Sequence, residues 1–246
     1  MERIPDVAVA TRDWSSLLAH LAPSEKGRFL ANLGVAPPYP AGTKLDGANG
    51  SAKARLVLSG WAMSYFVLAD GERQIVDFHL PGELLETASS AHLRAFVHNV
   101  ALSDLQLAHF DERVLESDSD MPRSFGARIR ERQFDRHITR IASLGGHRGR
   151  VKVAALIMDW HHRLESAGLA KDGLFEAPVT QEILGDALGL STVHVNRIIQ
   201  GLRHEGIIRM NPGEIEILDL DGLAAIAGPH WPRAAETPLI LQEQAR

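Results

Sequence analysis

Cysteine is absent from all 246 residues. That excludes disulfides, thiolate zinc sites, cysteine-ligated iron–sulfur clusters and cysteine nucleophiles together. Long apolar runs are missing too. The most apolar segment, VLSGWAMSYFVLA over residues 57–69, is broken by Ser59, Gly60 and Ser64. It falls short of the roughly 18 residues a membrane helix needs. The opening MERIPDVAVATRDW has no basic end leading into an apolar core, so it does not read as a signal peptide. No Gly-Lys-Ser/Thr phosphate loop and no His-Glu-x-x-His zinc helix occurs. The expectation is a soluble cytoplasmic protein with no membrane partner, no metal and no cofactor.

An overall excess of positive charge is also lacking, since the formal net charge is −5. Its distribution is uneven. Between residues 123 and 152 stand Arg123, Arg128, Arg130, Arg132, Arg136, Arg140, Arg148, Arg150 and Lys152, against only Glu131 and Asp135. A basic segment in an acidic chain can still meet a polyanion, because the local field decides. Apolar residues make up 45%, ordinary for a folded protein, and the length suits one large domain or two small ones.

The hydrophobic period divides the chain. Residues 13–33 carry Trp14, Leu17, Leu18 and Leu21 at helical spacing, and PPYPAG ends that helix. Residues 61–68 and 73–80 are aromatic and β-branched runs separated by Asp70-Gly71, a hairpin signal. Pro81-Gly82 makes the next turn, and residues 96–110 hold further short apolar pieces. Residues 37–112 therefore read as an antiparallel β domain. From about Met121 the spacing of Phe125, Ile129, Phe134, Ile138 and Ile141 predicts a helix, interrupted at Gly145-Gly146. A second helix is predicted over residues 150–166, with Val151, Ala154, Ala155, Ile157 and Met158 on its apolar side.

The stretch TQEILGDALGLSTVHVNRIIQGLRHEGII, residues 180–208, reads as two short helices. The first buries Ile183, Leu184, Ala187 and Leu188, with Thr180 as its cap. Gly189 allows a tight turn, Leu190 fills the gap between the helices, and Ser191 caps the second helix. There Val195, Ile198, Ile199 and Leu202 form one buried stripe at i, i+3, i+4, i+7. Val193, Arg197, Gln200 and His204 fall on the opposite arc, with Thr192, His194 and Asn196 at its flanks. Two such helices make a helix-turn-helix. Arginine can donate two hydrogen bonds to guanine and an apolar group can touch a thymine methyl, so an outward Val193 and Arg197 suit a major groove. Next, IIRMNPGEIEIL reads as strand, Asn-Pro-Gly turn, strand, which is the wing of a winged helix; a short helix follows near residues 220–227.

At these residues the chain resembles the CRP/FNR family of bacterial transcription regulators. The likeness spans roughly residues 25–228 and is strongest over residues 179–218. WAMSYFVLADGERQIVDFHLPGE is similar to the family's sensor β-roll. The resemblance implies an α+β architecture: a β-roll over 13–118, a dimerisation helix over 119–144, a winged helix-turn-helix over 146–228 and a loose tail over 229–246. It implies a homodimer on a near-palindromic site in double-stranded DNA, and contact with RNA polymerase if the protein is an activator. Thr180, Gln181, Ser191, Thr192, Val193, His194, Asn196, Arg197 and Gln200 are the expected DNA-binding residues. Thr192-Val193 replaces the family's early Arg-Glu pair, whereas Arg197 matches its later arginine, which implies a changed half-site. In LGGHRGRVK, residues 144–152, Arg148, Arg150 and Lys152 are candidates for phosphate contacts.

Members that bind cyclic nucleotide use a Gly-Glu pair and an arginine followed by Ser or Thr. Gly82-Glu83 resembles the first pair and Arg94 the second, but Ala95 follows Arg94. Gly82, Glu83 and Arg94 are thus the candidate effector pocket, in a roll whose ligand is unknown or lost. The simpler reading leaves Gly82-Glu83 a turn and Arg94 a solvated charge. Arg128 to Arg140 read as a solvated helix face. Ala127, Phe134 and Ile141 keep a seven-residue seam, but its companion positions are Arg130 and His137, so the heptad is imperfect. His161, His162 and Glu165 read as exposed helix residues rather than a metal site. His79, His92, His98 and His109 fall in the sensor, where they could titrate near neutral pH or bind haem or a metal. The first reading is a sequence-specific, homodimeric transcription regulator whose β-roll receives a signal or braces the dimer; the alternatives are a ligand-responsive cyclic-nucleotide-binding regulator, a constitutive DNA-binding protein with a degenerate sensor, and, with no nucleophile–base pair to support it, an enzyme on a β-roll scaffold.

Overall fold

In the computed structural model of the protein, residues 33–45, 53–85, 95–111 and 123–228 are described. The helix expected over residues 13–33 (Leu33 apart), His92, Arg94 and the tail from residue 229 lie outside them. The amino-terminal half is antiparallel β structure. β1 (Gly34–Val35), β2 (Lys53–Ser59), β5 (Leu84–Leu85) and β7 (Gln106–Asp111) form one sheet in the order β1-β7-β2-β5. β3 (Ala62–Val67), β4 (Arg73–His79) and β6 (Val97–Ala101) form a second in the order β4-β3-β6. Asp70-Gly71 closes the β3–β4 hairpin, where Val67 pairs with Arg73 and Ala62 with His79. Between the sheets lie Leu45, Val57, Ala62, Leu85, Ala101, Leu105 and Leu107.

Then come two helices, α1 (Arg123–Gly146) and α2 (Gly149–Ser166). Phe134, Ile138 and Ile141 are exposed, at 63%, 50% and 65%. They form an i, i+4, i+7 stripe, so the companion to the seven-residue seam is Ile138 rather than His137. His137 instead reaches the Asp77 carboxylate at 3.2 Å. α2 holds the unbroken apolar run Val153 through Met158, and the structure buries all of it together with Trp160, His161 and Leu164. His161, expected at the surface, is only 3% exposed and packs near the Phe175 ring.

The carboxy-terminal half is β8 (Leu174–Glu176), α3 (Gln181–Leu188), α4 (Thr192–His204), β9 (Ile208–Asn211), β10 (Glu214–Ile217) and α5 (Leu220–Ala227). The predicted hairpin is β9–β10, with Ile215 opposite Met210 and a cross-strand Arg209–Glu216 ion pair. β8 was not anticipated. It adds a third strand, Phe175 opposite Ile215, and buries Phe175 beneath α2.

One apolar core joins the two halves. Trp160 of α2 is fully buried and meets Trp61 and Phe78 of the β domain edge-on, with centroids 5.4 and 5.0 Å away. Such pairs add about 0.5–1.5 kcal/mol beyond the area they bury.

Candidate nucleic-acid interface

Local chemistry fixes the two short helices. The Thr180 hydroxyl accepts from the Ile183 amide at 3.2 Å, and the Ser191 hydroxyl from the His194 amide at 3.3 Å. Each satisfies one orphan donor at a helix start. Gly189 ends α3 in the left-handed region at φ 64°. Gly185 is needed for another reason: a Cβ there would lie 2.5 Å from the Leu190 carbonyl oxygen. The turn folds back tightly onto α3, and the Leu190 amide donates to the Gly185 carbonyl at 3.1 Å.

Val195, Ile198, Ile199 and Leu202 of α4 are buried. The opposite side is bare. Val193 is 70% exposed, and Thr192, Arg197 and Gln200 are exposed with it. Asn196 donates its amide to Gln181 Oε1 at 2.9 Å, so those two side chains meet between the helices. His194 leans over the start of α2, where a Cβ on Gly149 would lie 3.2 Å from its Nε2.

The three cations expected at phosphates part company. Arg148, at the α2 N-cap, is exposed. Arg150 forms a two-pronged ion pair with Glu205 at the end of α4, Nη1 to Oε1 at 2.5 Å. Lys152 lines a cavity under α1 with Asp77 and Arg140.

Residues that local patterning did not single out hold this unit onto the β domain. Arg73 of β4 pairs with Glu182 at 2.9 Å and Asp186 at 2.8 Å, both on α3. Gln74 and Arg140 donate to the Ala187 carbonyl at 3.4 and 3.3 Å, serving the C-terminal end of α3. Glu83 is gripped by two guanidiniums: Arg163 of α2 (Nε to Oε1, 2.7 Å) and Arg136 of α1 (Nη1 to Oε1, 3.1 Å). Arg136 also reaches Asp77 at 2.8 Å, and Arg163 reaches Asp159 at 2.7 Å. The solvated face expected of Arg128 to Arg140 is therefore interrupted, since Arg136 and Arg140 turn into the domain junction. Gly82 sits in the turn before Glu83 at φ 87°.

Burial alone would raise the Asp77 and Glu83 carboxyls. The neighbouring arginines outweigh it, Arg136 at Asp77 and Arg163 at Glu83, and both are held below the ordinary carboxylate range, Asp77 well below. Burial pushes the other way on His79, His161 and His162, lowering all three. His79 is enclosed by the Ser64 hydroxyl at 2.7 Å and the Leu84 carbonyl at 3.2 Å, and His98 lies beside the Tyr65 ring. No group of three or more His, Cys, Asp or Glu side chains suited to a metal occurs among the described residues.

These shifts set a pH dependence. Below the unfolded histidine value near 6.5 the unfolded chain binds more protons than the folded one, so stability falls as pH drops through that value. The depressed carboxylates add a second loss below about pH 4, as pH falls toward their folded values. Urea melts at about pH 7.5 and about pH 5.5 should show a lower midpoint at the acid value with the slope unchanged. Equal midpoints would contradict the burial of neutral histidines.

A capped two-helix unit with a bare outer face and a three-stranded wing beside it is a winged-helix DNA-binding domain. A family model described as the Crp-like helix-turn-helix domain matches residues 151–226. The nitrogen fixation regulation protein FixK of Bradyrhizobium diazoefficiens is 31% identical over 179 residues, 70% of this chain and 72% of that one. The transcriptional regulatory protein btr of Bordetella pertussis is 28% identical over 165 residues, 65% of this chain and 67% of the relative. The solved structure of FixK2 from Bradyrhizobium japonicum shares the fold, with TM-score 0.66 and 24% identity over 80% of this chain and 98% of the other. The chain belongs to the CRP/FNR family of transcription regulators.

Proposed function

We propose that the protein reads a near-palindromic DNA site as a homodimer, joined along the exposed Phe134–Ile138–Ile141 stripe of α1, with one α4 in the major groove of each half-site. The observation that carries this reading is the bare face of α4, where Val193 is 70% exposed one turn from an exposed Arg197. Arg197 would donate to a guanine and Val193 would touch a thymine methyl. Thr192 and Gln200 would contact bases or phosphates beside them. Thr180, Ser191 and the Asn196–Gln181 pair would face the backbone, and His194 would brace α4 against α2. Arg148 is the cation we assign to a phosphate. Arg150 is partly neutralised by Glu205, and Lys152 belongs to the junction. The working units are the β-roll, α1 and the winged helix, with boundaries near residues 118 and 146. An activating role would bring RNA polymerase to the bound dimer.

Glu83, engaged by Arg136 and Arg163, acts in this reading as a tie between the halves rather than as a partner for a sugar hydroxyl. Selection of bound sites from random duplexes should return two related half-sites. At that site Arg197→Ala should cost about 1–3 kcal/mol and relax preference at one base pair. Arg148→Ala should weaken all sequences alike and lower the salt slope by about one. Equal losses on every sequence for Arg197→Ala would remove base readout from that side chain.

A further inference from the structure

A partly open cavity of about 30 Å³ lies at the junction between β4, α1, α2 and α3. Its charged lining is Asp77, Arg136, Arg140, Lys152 and Asp159, with Ser143 among its polar neighbours. Both carboxylates are already engaged, Asp77 by Arg136 and His137, and Asp159 by Arg163. Arg136 is shared between Asp77 and Glu83, whereas Arg140 and Lys152 have no such ion pair among the described residues. Among the described residues, Arg140 donates only to the carbonyls of Ile75 (3.1 Å) and Ala187 (3.3 Å), and it lies over the Phe78 ring at 5.5 Å. Its Nε and that of Arg136 are buried without an acceptor among the described residues. Lys152 forms no ion pair among the described residues.

A buried donor without an acceptor costs about 1–3 kcal/mol, and more when it is charged. Water could satisfy a donor, but it brings no charge, and Arg140 would then lean only on Asp77 and Asp159, carboxylates already held in ion pairs by Arg136 and Arg163. A small oxyanion meets both needs, because its oxygens accept charge-assisted bonds from several donors at once. Size narrows the class. A water needs roughly 10–15 Å³ by this measure, so the inner space suits the head of a small oxyanion, with anything attached to it left at the open mouth.

We propose that this cavity is a binding site for a small oxyanion, a phosphate or the phosphoryl group of a phosphomonoester, held by Arg140, Lys152, the Arg136 Nε and the Ser143 hydroxyl. The site does not depend on the DNA-reading face. It bears on regulation, because an anion there would share Arg136 and Arg140 with β4 and α3. Its occupancy would change how firmly the winged helix is held on the β-roll.

Isothermal titration of the full chain, without DNA and at constant ionic strength, would use inorganic phosphate, sulfate and glycerol phosphate, each against chloride. Saturable binding of phosphate at one site per protomer is expected. A clear preference for glycerol phosphate would assign an organic phosphomonoester, and similar affinities for phosphate and sulfate a general oxyanion site. Lys152→Gln, at a half-buried position, and Arg140→Gln should each weaken binding at least about tenfold, the loss of roughly one charge-assisted bond. A thermal melt of Lys152→Gln should remain cooperative, which separates loss of the site from loss of the fold. No saturable heat beyond chloride would overturn the proposal. So would affinity lost in Arg148→Ala or Arg197→Ala but kept in Lys152→Gln, since that would place the anion on the DNA-reading surface.

Discussion

Trp160→Ala is expected to cost about 3–5 kcal/mol of folding stability and to uncouple the two halves of the chain. The side chain is fully buried, and its ring is the only part of α2 that stacks edge-on against both Trp61 and Phe78 among the described residues. Truncation loses the transfer free energy of an indole and leaves a void with rings on two sides that cannot collapse into it. The void opens where the β-roll meets the winged helix, so cooperativity should suffer as well. Urea melts should show two transitions in place of one, the second belonging to whichever half keeps a complete core. Trp160→Phe separates packing from polarity. The Trp160 Nε1 is buried with no acceptor among the described residues, so removing that N–H relieves a penalty while an aromatic ring remains. The phenylalanine variant should keep a single transition and lose no more than about 2 kcal/mol. A single transition in Trp160→Ala, displaced by less than about 1 kcal/mol, would mean that the aromatic cluster does not join the halves.

The parts of this architecture written in short-range pattern were legible from residues alone. α4 is an amphipathic helix whose buried and bare arcs follow from counting by 3.6, so the sequence alone places Val193 and Arg197 outward. Thr180, Gly189 and Ser191 mark helix ends by side-chain chemistry that acts within three residues. The β9–β10 hairpin follows from its Pro-Gly turn and flanking isoleucines. The junction was not legible, because its partners are far apart in sequence. Asp77 meets Arg136 across 59 residues, and Glu83 meets Arg163 across 80. Nothing in the local pattern of either partner names the other. The same ignorance produced the reading of α1 as a solvated basic face with a flawed heptad. Arg136 and Arg140 serve β4, and the exposed apolar stripe includes Ile138, a choice made by what packs on the other side of the helix. His161 was placed at the surface for the same reason. α2 is covered on nearly every side, and histidine next to an apolar run gives no local sign of that.

This division bears on how a regulator of this shape responds. The reading face is built from local rules, and its geometry survives as long as α3 and α4 stay capped. The position of that face relative to the β-roll rests on a few long-range contacts: the three rings, the Arg73 pairs and the arginine–carboxylate network. A signal that shifts the equilibrium between docked and released winged helices needs only to bind one arrangement better than the other. The network is the element with most to gain or lose, since its charges are desolvated and few.

Arg163→Met is the second substitution with a large expected effect. Arg163 donates to Glu83 through Nε and Nη2, to Asp159 through Nη1, and to the Phe78 carbonyl. It is 12% exposed as a side chain, and Glu83 and Asp159 are 20% and 14% exposed. Methionine keeps most of the volume but leaves two carboxylates and a carbonyl short of donors. Breaking such a buried pair from one side costs on the order of 3–5 kcal/mol. Arg136 still serves Glu83, so the lower end is expected. The double variant Glu83→Gln with Arg163→Met should recover part of the loss, because the uncompensated charge is gone, and the cycle should give a coupling energy above about 1 kcal/mol. The pH dependence carries a sign that packing alone cannot imitate. Arg163 is the largest influence holding Glu83 below its ordinary value, so in Arg163→Met that carboxyl moves up. Proton uptake then removes the stranded charge, and the penalty relative to wild type should shrink as pH falls from about 7 through the ordinary glutamate value of about 4.3. A penalty that stays constant across that range would assign the role of Arg163 to packing of its alkyl chain and not to its charge.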